Sequence, residues 1–159
     1  MQNVVIRDYT PDDKEMVERI NRKGLGGKGA ISRQDLFENE LNALHEGKGV
    51  CHVAEIEGEV VGFIWMWQDT ELLSGMFHEG VNVNDTLYVY AFAVDPPFRG
   101  KGVDRMLIAD AERTAAEFGR SRILLDIEED REAIRWFSSN GYVMKSAQIW
   151  MVKDLDPED

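Results

Sequence analysis

Residues 94–107 read Val94-Asp95-Pro96-Pro97-Phe98-Arg99-Gly100-Lys101-Gly102-Val103-Asp104-Arg105-Met106-Leu107. An apolar run ends in Asp-Pro-Pro, two glycines bracket a lysine, and a helical pattern follows. The stretch is therefore a strand end, a tight glycine turn and a helix start. Glycines let a backbone approach a ligand closely, and the helix behind them adds about half a positive charge at its first turn. Together they form an anion cradle that needs no charged side chain. The same turn serves equally well as a helix start with structural glycines, so the neighbouring sequence has to decide. One residue complicates the anion reading: Asp104 stands where the anion would sit.

Upstream of the turn, Thr86–Val94 is rich in aromatic and β-branched residues and reads as a central strand, with Tyr88, Tyr90 and Phe92 expected on one face. Downstream, Met106, Leu107, Ala111, Thr114, Ala115 and Phe118 mark a helix ending at Gly119. Ile123–Ile127 is a further strand. Ala133, Ile134, Trp136 and Phe137 lie on a helix closed by Asn140-Gly141. Tyr142–Met144 and Gln148–Val152 finish as strands, before an acidic tail over 154–159 that is expected to fray.

The N-terminal half is built differently. Val4-Val5-Ile6 with Tyr9 forms a first strand, and Thr10-Pro11-Asp12-Asp13 opens a helix whose buried stripe is Met16, Val17 and Ile20. The glycine-dense segment NRKGLGGKG ends it. Ser32 and Asp35 then resemble a capping box, and Leu36, Phe37, Leu41 and Leu44 predict a second helix ending near Gly47–Gly49. Val50–Ile56 and Glu59–Trp67 are strands joined by Glu57-Gly58, a hairpin turn. Trp65 and Trp67 share a face of the second strand and are read as packing. The connection Gln68–Asp85 is too long for a plain turn. Two helices and a hairpin lead into strand–helix crossovers, which implies one mixed sheet with helices on its faces.

Composition narrows the function. The 159 residues suit one domain, with 43 % apolar and 30 % charged residues. Thirty acidic residues against 18 basic ones leave a net charge of −12, which repels a phosphate backbone and argues against nucleic acid. Cys51 is the only cysteine, so an intrachain disulfide and a cysteine-based zinc site are excluded, and no metal is expected. Its neighbours mark it as a buried strand residue. The start of the chain lacks the apolar core of a signal peptide, and VVGFIWMW at 60–67 is too short to span a bilayer. A cytoplasmic location away from membranes is the expectation. The run Gly24–Gly29 is not a nucleotide loop, because no Ser or Thr follows Lys28 and a helix precedes it. It is read as a connector or as a flexing cover for an acceptor pocket.

VDPPFRGKGV closely resembles the acyl-CoA pyrophosphate loop of the GCN5-related N-acetyltransferase (GNAT) superfamily, whose pattern is Gln/Arg-x-x-Gly-x-Gly/Ala after a strand ending Val-x-Pro. Arg99, Gly102 and Asp104 occupy the three patterned positions. A second family segment, Ala-x-x-x-Tyr-x-x-x-Gly-Phe, is similar to Ala133 through Tyr142, with Phe137 at the tyrosine position. The order of elements fits along nearly the whole chain.

The resemblance implies a mixed, mostly antiparallel twisted sheet of about six or seven strands with about four helices, and a single acetyltransferase-like domain over 1–153. It implies transfer of an acetyl group from acetyl-CoA, as cosubstrate, to an amine of an unidentified small molecule or peptide. In such folds the strand before the loop, here Phe92, Ala93 and Val94, splays from its neighbour and bonds the pantetheine arm. The amides of Arg99, Gly100, Lys101, Gly102, Val103 and Asp104 would hold the pyrophosphate, with Asp130 and Phe137 also at the cofactor. Homodimers are common in look-alikes.

Three positions depart from the family. Asp104 replaces a small residue and sets a negative charge near the pyrophosphate. Phe137 cannot protonate a leaving thiolate, and Ser138 beside it is a weak substitute. Residues Thr86–Val94 carry no carboxylate to deprotonate the amine, so Glu128, on one face with Asp126 toward the end of the next strand, becomes the candidate base. Tyr90 is the other catalytic candidate. His78, in the long connection, has no identifiable partner, and His45 and His52 read as surface or helix-end residues. These departures keep two rivals open: a weakened family member that binds CoA as a regulatory module, and a ligand sensor using the acidic surface and the Trp65/Trp67 strand.

Overall fold

A computed structural model describes residues 3–24, 49–68, 83–126, 131–144 and 150–155. Seven strands form one sheet: β1 (Val4–Asp8), β2 (Gly49–Ile56), β3 (Glu59–Trp67), β4 (Thr86–Val94), β5 (Arg122–Asp126), β6 (Val143–Met144) and β7 (Trp150–Asp154). Their order is β1-β2-β3-β4-β5-β7-β6, and every pairing is antiparallel except β4 with β5. Three α-helices are described: α1 (Lys14–Gly24), α2 (Val103–Glu117) and α3 (Arg131–Ser139). The helix expected over 32–47, the glycine run, and most of the connection after Gln68 lie outside the described residues.

The start of α1 is held from two sides. A 3-10 turn over Pro11–Asp13 leads into the helix, and the Asp13 carboxylate accepts from the Thr10 N–H at 2.8 Å. Arg7 on β1 donates to both oxygens of Asp13, at 2.8 and 2.9 Å, and to Glu55 on β2 at 3.0 Å. The Arg7 bond lowers the carboxyl pKa of buried Asp13, overcoming the opposing effect of burial. One side chain thus ties the edge strand, its neighbour and the first helix together.

The β2–β3 hairpin turns at Glu57 and Gly58, both at positive φ (51° and 81°), the geometry that matches strand twist in a two-residue loop. Past it, a register shift leaves Val61 as an extra residue of β3, and from Phe63 on the side chains alternate between two cores. Val61, Ile64 and Met66 join Val103, Leu107 and Ala111 of α2, with Phe137 of α3. Phe63, Trp65 and Trp67 join Val17 and Ile20 of α1 on the opposite face. Each fully buried large side chain contributes about 1.5–3 kcal/mol. Gly62 lets α2 sit close to β3, since a Cβ there would lie 3.0 Å from Leu107 Cδ1 and 3.2 Å from the Ala93 carbonyl.

Two expectations are corrected. Asp154 does not begin a frayed tail: it is the last residue of β7, pairs with Arg122, and accepts from that guanidinium at 2.7 Å. The chain stays attached one residue further, where the Leu155 N–H bonds the Ser121 carbonyl at 2.6 Å. The second correction concerns β4. Phe92 does not share a face with Tyr88 and Tyr90; it belongs to the α2 side, and they belong to the α1 side. The cause is a bulge. Trp65 pairs with Ala91 and Met66 with Val89, so Tyr90 is the extra residue and the alternation inverts past it. No described helix is long and apolar enough to cross a membrane.

Candidate active site

The parting of two strands makes the site. β4 and β5 pair in parallel at only three positions, Thr86–Arg122, Leu87–Ile123 and Tyr88–Leu124. Beyond Tyr88, β4 follows β3 while β5 is held by β7, and a gap opens between them. The bulge at Tyr90 falls where the gap begins. Bulges bend a strand and increase its local twist, so it accounts for the divergence. Phe92, Phe137, Trp136 and Tyr142 fill the α2 side of this region with packed rings.

At its far end β4 feeds the glycine turn. Pro96–Phe98 make one 3-10 turn, closed by the Phe98 N–H on the Asp95 carbonyl at 2.8 Å and the Arg99 N–H on the Pro96 carbonyl at 3.2 Å. Gly100 and Gly102 then adopt φ of +75° and +86°, where a side chain would be strained. α2 begins at Val103, and its first backbone bond runs from the Met106 N–H to the Gly102 carbonyl. Among the described residues, the N–H groups of Gly100, Lys101, Gly102, Val103 and Asp104 find no acceptor. The Arg99 N–H, expected among the phosphate donors, is committed inside the turn, and the Arg99 Nε donates to the Val94 carbonyl at 3.3 Å.

The charges near the turn are mostly internal. Asp95 is buried, and its carboxylate pairs with Lys23 at the end of α1 at 3.1 Å. Lys101 lies over the Phe98 ring, 5.5 Å from its centroid. Asp104 is half-buried, and its carboxylate accepts the Arg105 N–H at 2.8 Å. It thus occupies one first-turn donor of α2 and brings a negative charge to the end that would receive an anion.

Other candidates fall variously. Tyr90 is half-buried and meets Trp67 edge-on at 5.9 Å and Tyr88 at 6.2 Å. Phe137 is fully buried against Trp136 and Tyr142, and Ser138 is exposed. Position 137 therefore carries no hydroxyl; the Tyr142 ring packs on Phe137, and its OH is buried with no hydrogen-bond partner among the described residues. Burial pushes that phenol well above its ordinary range. Glu128, Asp130, His45 and His78 lie outside the described residues. Burial likewise raises the Cys51 thiol, in line with an inert core residue.

Sequence reasoning missed one cluster. His52 is no surface or helix-end residue; it stands in β2 with its side chain only 14 % exposed. Its Nδ1 hydrogen-bonds Asp110, buried on α2, and its Nε2 faces Asp8 of β1 at 3.3 Å. Arg113 closes on the other oxygen of Asp110. The signal was an aspartate three residues after Leu107, inside the buried stripe of a helix.

The chain matches the Acetyltransferase (GNAT) family over residues 15–142. It belongs to that family. An acetyltransferase from Photorhabdus laumondii is 31 % identical over 129 residues, covering 80 % of this chain and 78 % of that protein. The uncharacterized N-acetyltransferase YdgE of Bacillus subtilis is 22 % identical over 99 residues, 62 % of this GNAT chain and 57 % of its own length. The GNAT fold is shared with yncA from Salmonella typhimurium, whose structure holds its cofactor acetyl-CoA. That likeness has a TM-score of 0.71 at 20 % identity, covering 99 % of this chain and 96 % of that one.

Proposed function

We propose that this GNAT-family chain binds acetyl-CoA across the parted strands and the glycine turn, and transfers the acetyl group to an amine of a small molecule or peptide. One observation carries the reading: β4 leaves β5 after Tyr88 and leads directly into a turn with five acceptor-less N–H groups. The residues fit the group. A diphosphate needs convergent donors, and the turn supplies them with open space around both glycines. The pantetheine arm needs a strand edge, and β4 offers one past Tyr88 on the side that β5 has left, with the Val94 carbonyl there already accepting from Arg99 Nε. Bound acetyl-CoA supplies a thioester carbonyl carbon open to attack.

The protein's own part is to hold, orient and take a proton. Gly100–Asp104 hold the diphosphate, and Phe92, Ala93 and Val94 align the arm. Asp130, carried over from the family pattern, lines it; Phe137, carried over with it, is sealed in the core and backs the wall instead. Amines with a pKa near ~10 have to shed a proton before attack. Glu128, two residues past the end of β5, takes that proton as the C–N bond forms. Tyr90, at the bulge, orients the acceptor. The C–S bond then breaks with its electron pair on sulfur, tolerable without a donor at 137 because a thiol pKa near ~8.5 makes the thiolate a fair leaving group. The absent hydroxyl is worth about 10²–10⁴-fold in rate, so turnover is slow. One domain in the cytoplasm, alone or as a homodimer, completes the proposal.

Isothermal titration with acetyl-CoA and with CoA tests it. Micromolar binding of both, followed by amine-dependent release of free thiol, is the expected result. No heat and no thermal shift at millimolar ligand would end the reading. A second reading, a weakened member that binds CoA without turnover, is favoured by Asp104 and Phe137 together, a negative charge at the turn and no proton donor for the leaving thiolate. Binding without thiol release across an amine panel would select it.

A further inference from the structure

At the mouth of the glycine turn the fold buries a carboxylate. Asp95 is 2 % exposed, and its polar groups are engaged by three different elements. Its N–H donates to the Val61 carbonyl of β3 at 2.7 Å, and its carbonyl accepts the Phe98 N–H of the 3-10 turn at 2.8 Å. Its carboxylate pairs with Lys23 of α1 at 3.1 Å, across 72 residues of chain. The two backbone bonds make Asp95 a fixed point between β4 and the turn, and the ion pair attaches the last turn of α1 to it.

The place of α1 gives that attachment a consequence. Val17 and Ile20 share a core with Ala91 and Ala93, which lie on β4 beyond its last pair with β5 at Tyr88. The helix therefore covers one face of β4 where the strands have parted. Half-buried Tyr90, the residue given the acceptor above, packs against the same core. Arg7 and Asp13 hold the start of α1, and buried Val17 and Ile20 hold its middle. Its end runs into Gly24, Gly26, Gly27 and Gly29, which have no side chains to pack. Lys23 supplies an anchor there.

We propose that Lys23 is a positioning residue for the acceptor amine. Its pair with Asp95 fixes the end of α1 to the start of the glycine turn, so that amine and thioester are held in one frame. The proposal rests on the acetyl-transfer reading above. It adds a role that the two family segments do not assign, since Asp95 is an unspecified position in them and Lys23 lies outside both. A carboxylate taken out of water is strongly destabilising without its cation, so Asp95 keeps Lys23 in place although that side chain is 39 % exposed. Placement matters for attack on a thioester, where a shift of about 1 Å can cost about 10²-fold in rate.

Calorimetry with CoA, beside a thiol-release assay with acetyl-CoA, tests the role on the full chain. The amines are benzylamine, spermidine and a peptide with a free N-terminus, and the fastest is carried forward. The main variant combines Lys23→Met with Asp95→Asn, which removes both charges and strands no buried carboxylate. It should keep its far-UV dichroism and bind CoA within about threefold of wild type, while kcat/KM for the amine falls about tenfold. Lys23→Arg, which keeps the cation, should hold kcat/KM within about threefold of wild type. An unchanged kcat/KM for the amine in the double variant overturns the role and leaves the acetyl-CoA reading standing. So does a CoA affinity that falls in step with kcat/KM, which would place the effect at the turn. A wild type that binds CoA but releases no thiol with any of the amines brings down acetyl transfer and this role together. If the double variant fails to fold, Asp95→Asn alone, which leaves only a part-exposed lysine unpaired, decides by the same comparison.

Discussion

Asp104 concentrates the tension in this protein into one side chain. A carboxylate in a first helical turn stabilises that helix by about 0.3–1 kcal/mol. Two like unit charges ~4 Å apart repel by on the order of 4 kcal/mol at surface-like dielectric before salt screening, against about 8 kcal/mol for micromolar binding. The bond to the Arg105 N–H engages the carboxylate but does not remove its charge, and Asp104 is half-exposed to screening ions. The backbone donors of Gly100–Asp104 are untouched by it. Asp104→Gly is therefore expected to tighten CoA binding about ten- to hundredfold, roughly 1.4–2.8 kcal/mol. Asp104→Asn should recover most of that gain, showing that charge is the cause. Calorimetry reads both, and equal affinity in all three proteins would mean that the carboxylate faces away from the ligand.

Among the elements, α2 carries the glycine turn at its start and the buried Asp110 two turns later. Asp110 binds His52 of β2, which faces Asp8 of β1, so a charged chain fixes the helix to the outermost described strands of the sheet. Burial disfavours the imidazolium, yet the Asp110 hydrogen bond and the charges of Asp110 and Asp8 outweigh it, against Arg113, and raise the His52 pKa. A raised folded-state pKa means that the stabilisation is complete below the unfolded value of about 6.5. It fades as pH climbs through the folded value. His52→Gln should thus lose stability most at mildly acid pH, on the order of 1–3 kcal/mol for a charge-assisted bond, and progressively less toward pH 9. Denaturant melts of both proteins across that range measure it; a pH-independent difference would remove the imidazolium from the account. The elements also show how sequence reading succeeds and fails. Strand and helix periodicity placed nearly every described element, because a buried face repeats its apolar residues. The bulge at Tyr90 escaped, since an extra residue in β4 appears only against its partner β3. That one residue moved Phe92 to the other core and put it beside Trp136.

At the scale of the whole molecule, the net charge of −12 opposes a polyanionic cosubstrate. Its reach depends on salt: the Debye length is about 30 Å at 0.01 M and about 8 Å at 0.15 M. At low salt the ligand feels the full acidic surface, and at higher salt only its near neighbours, which include Arg99, Lys101 and Arg105. CoA affinity is therefore expected to rise severalfold between those two conditions, opposite to the usual loss for a phosphate ligand. Titrations at both ionic strengths check this. A weaker affinity at 0.15 M would show that the basic residues of the turn dominate even at long range.

By itself, the amino-acid order determined what is local. The glycine turn with its helix start, the hairpin at Glu57-Gly58, the crossover pattern and the two family segments follow from backbone sterics and side-chain period, which act over a few residues. Tertiary structure alone decided what depends on residues far apart in the chain. It parted β4 from β5 after three pairs, brought Trp136 onto Phe92, closed Arg7 on Asp13 and Glu55, and buried Asp110 against His52. Each of those contacts depends on strand register and on the angle at which a helix crosses the sheet, which are settled only when the two cores pack on both faces at once.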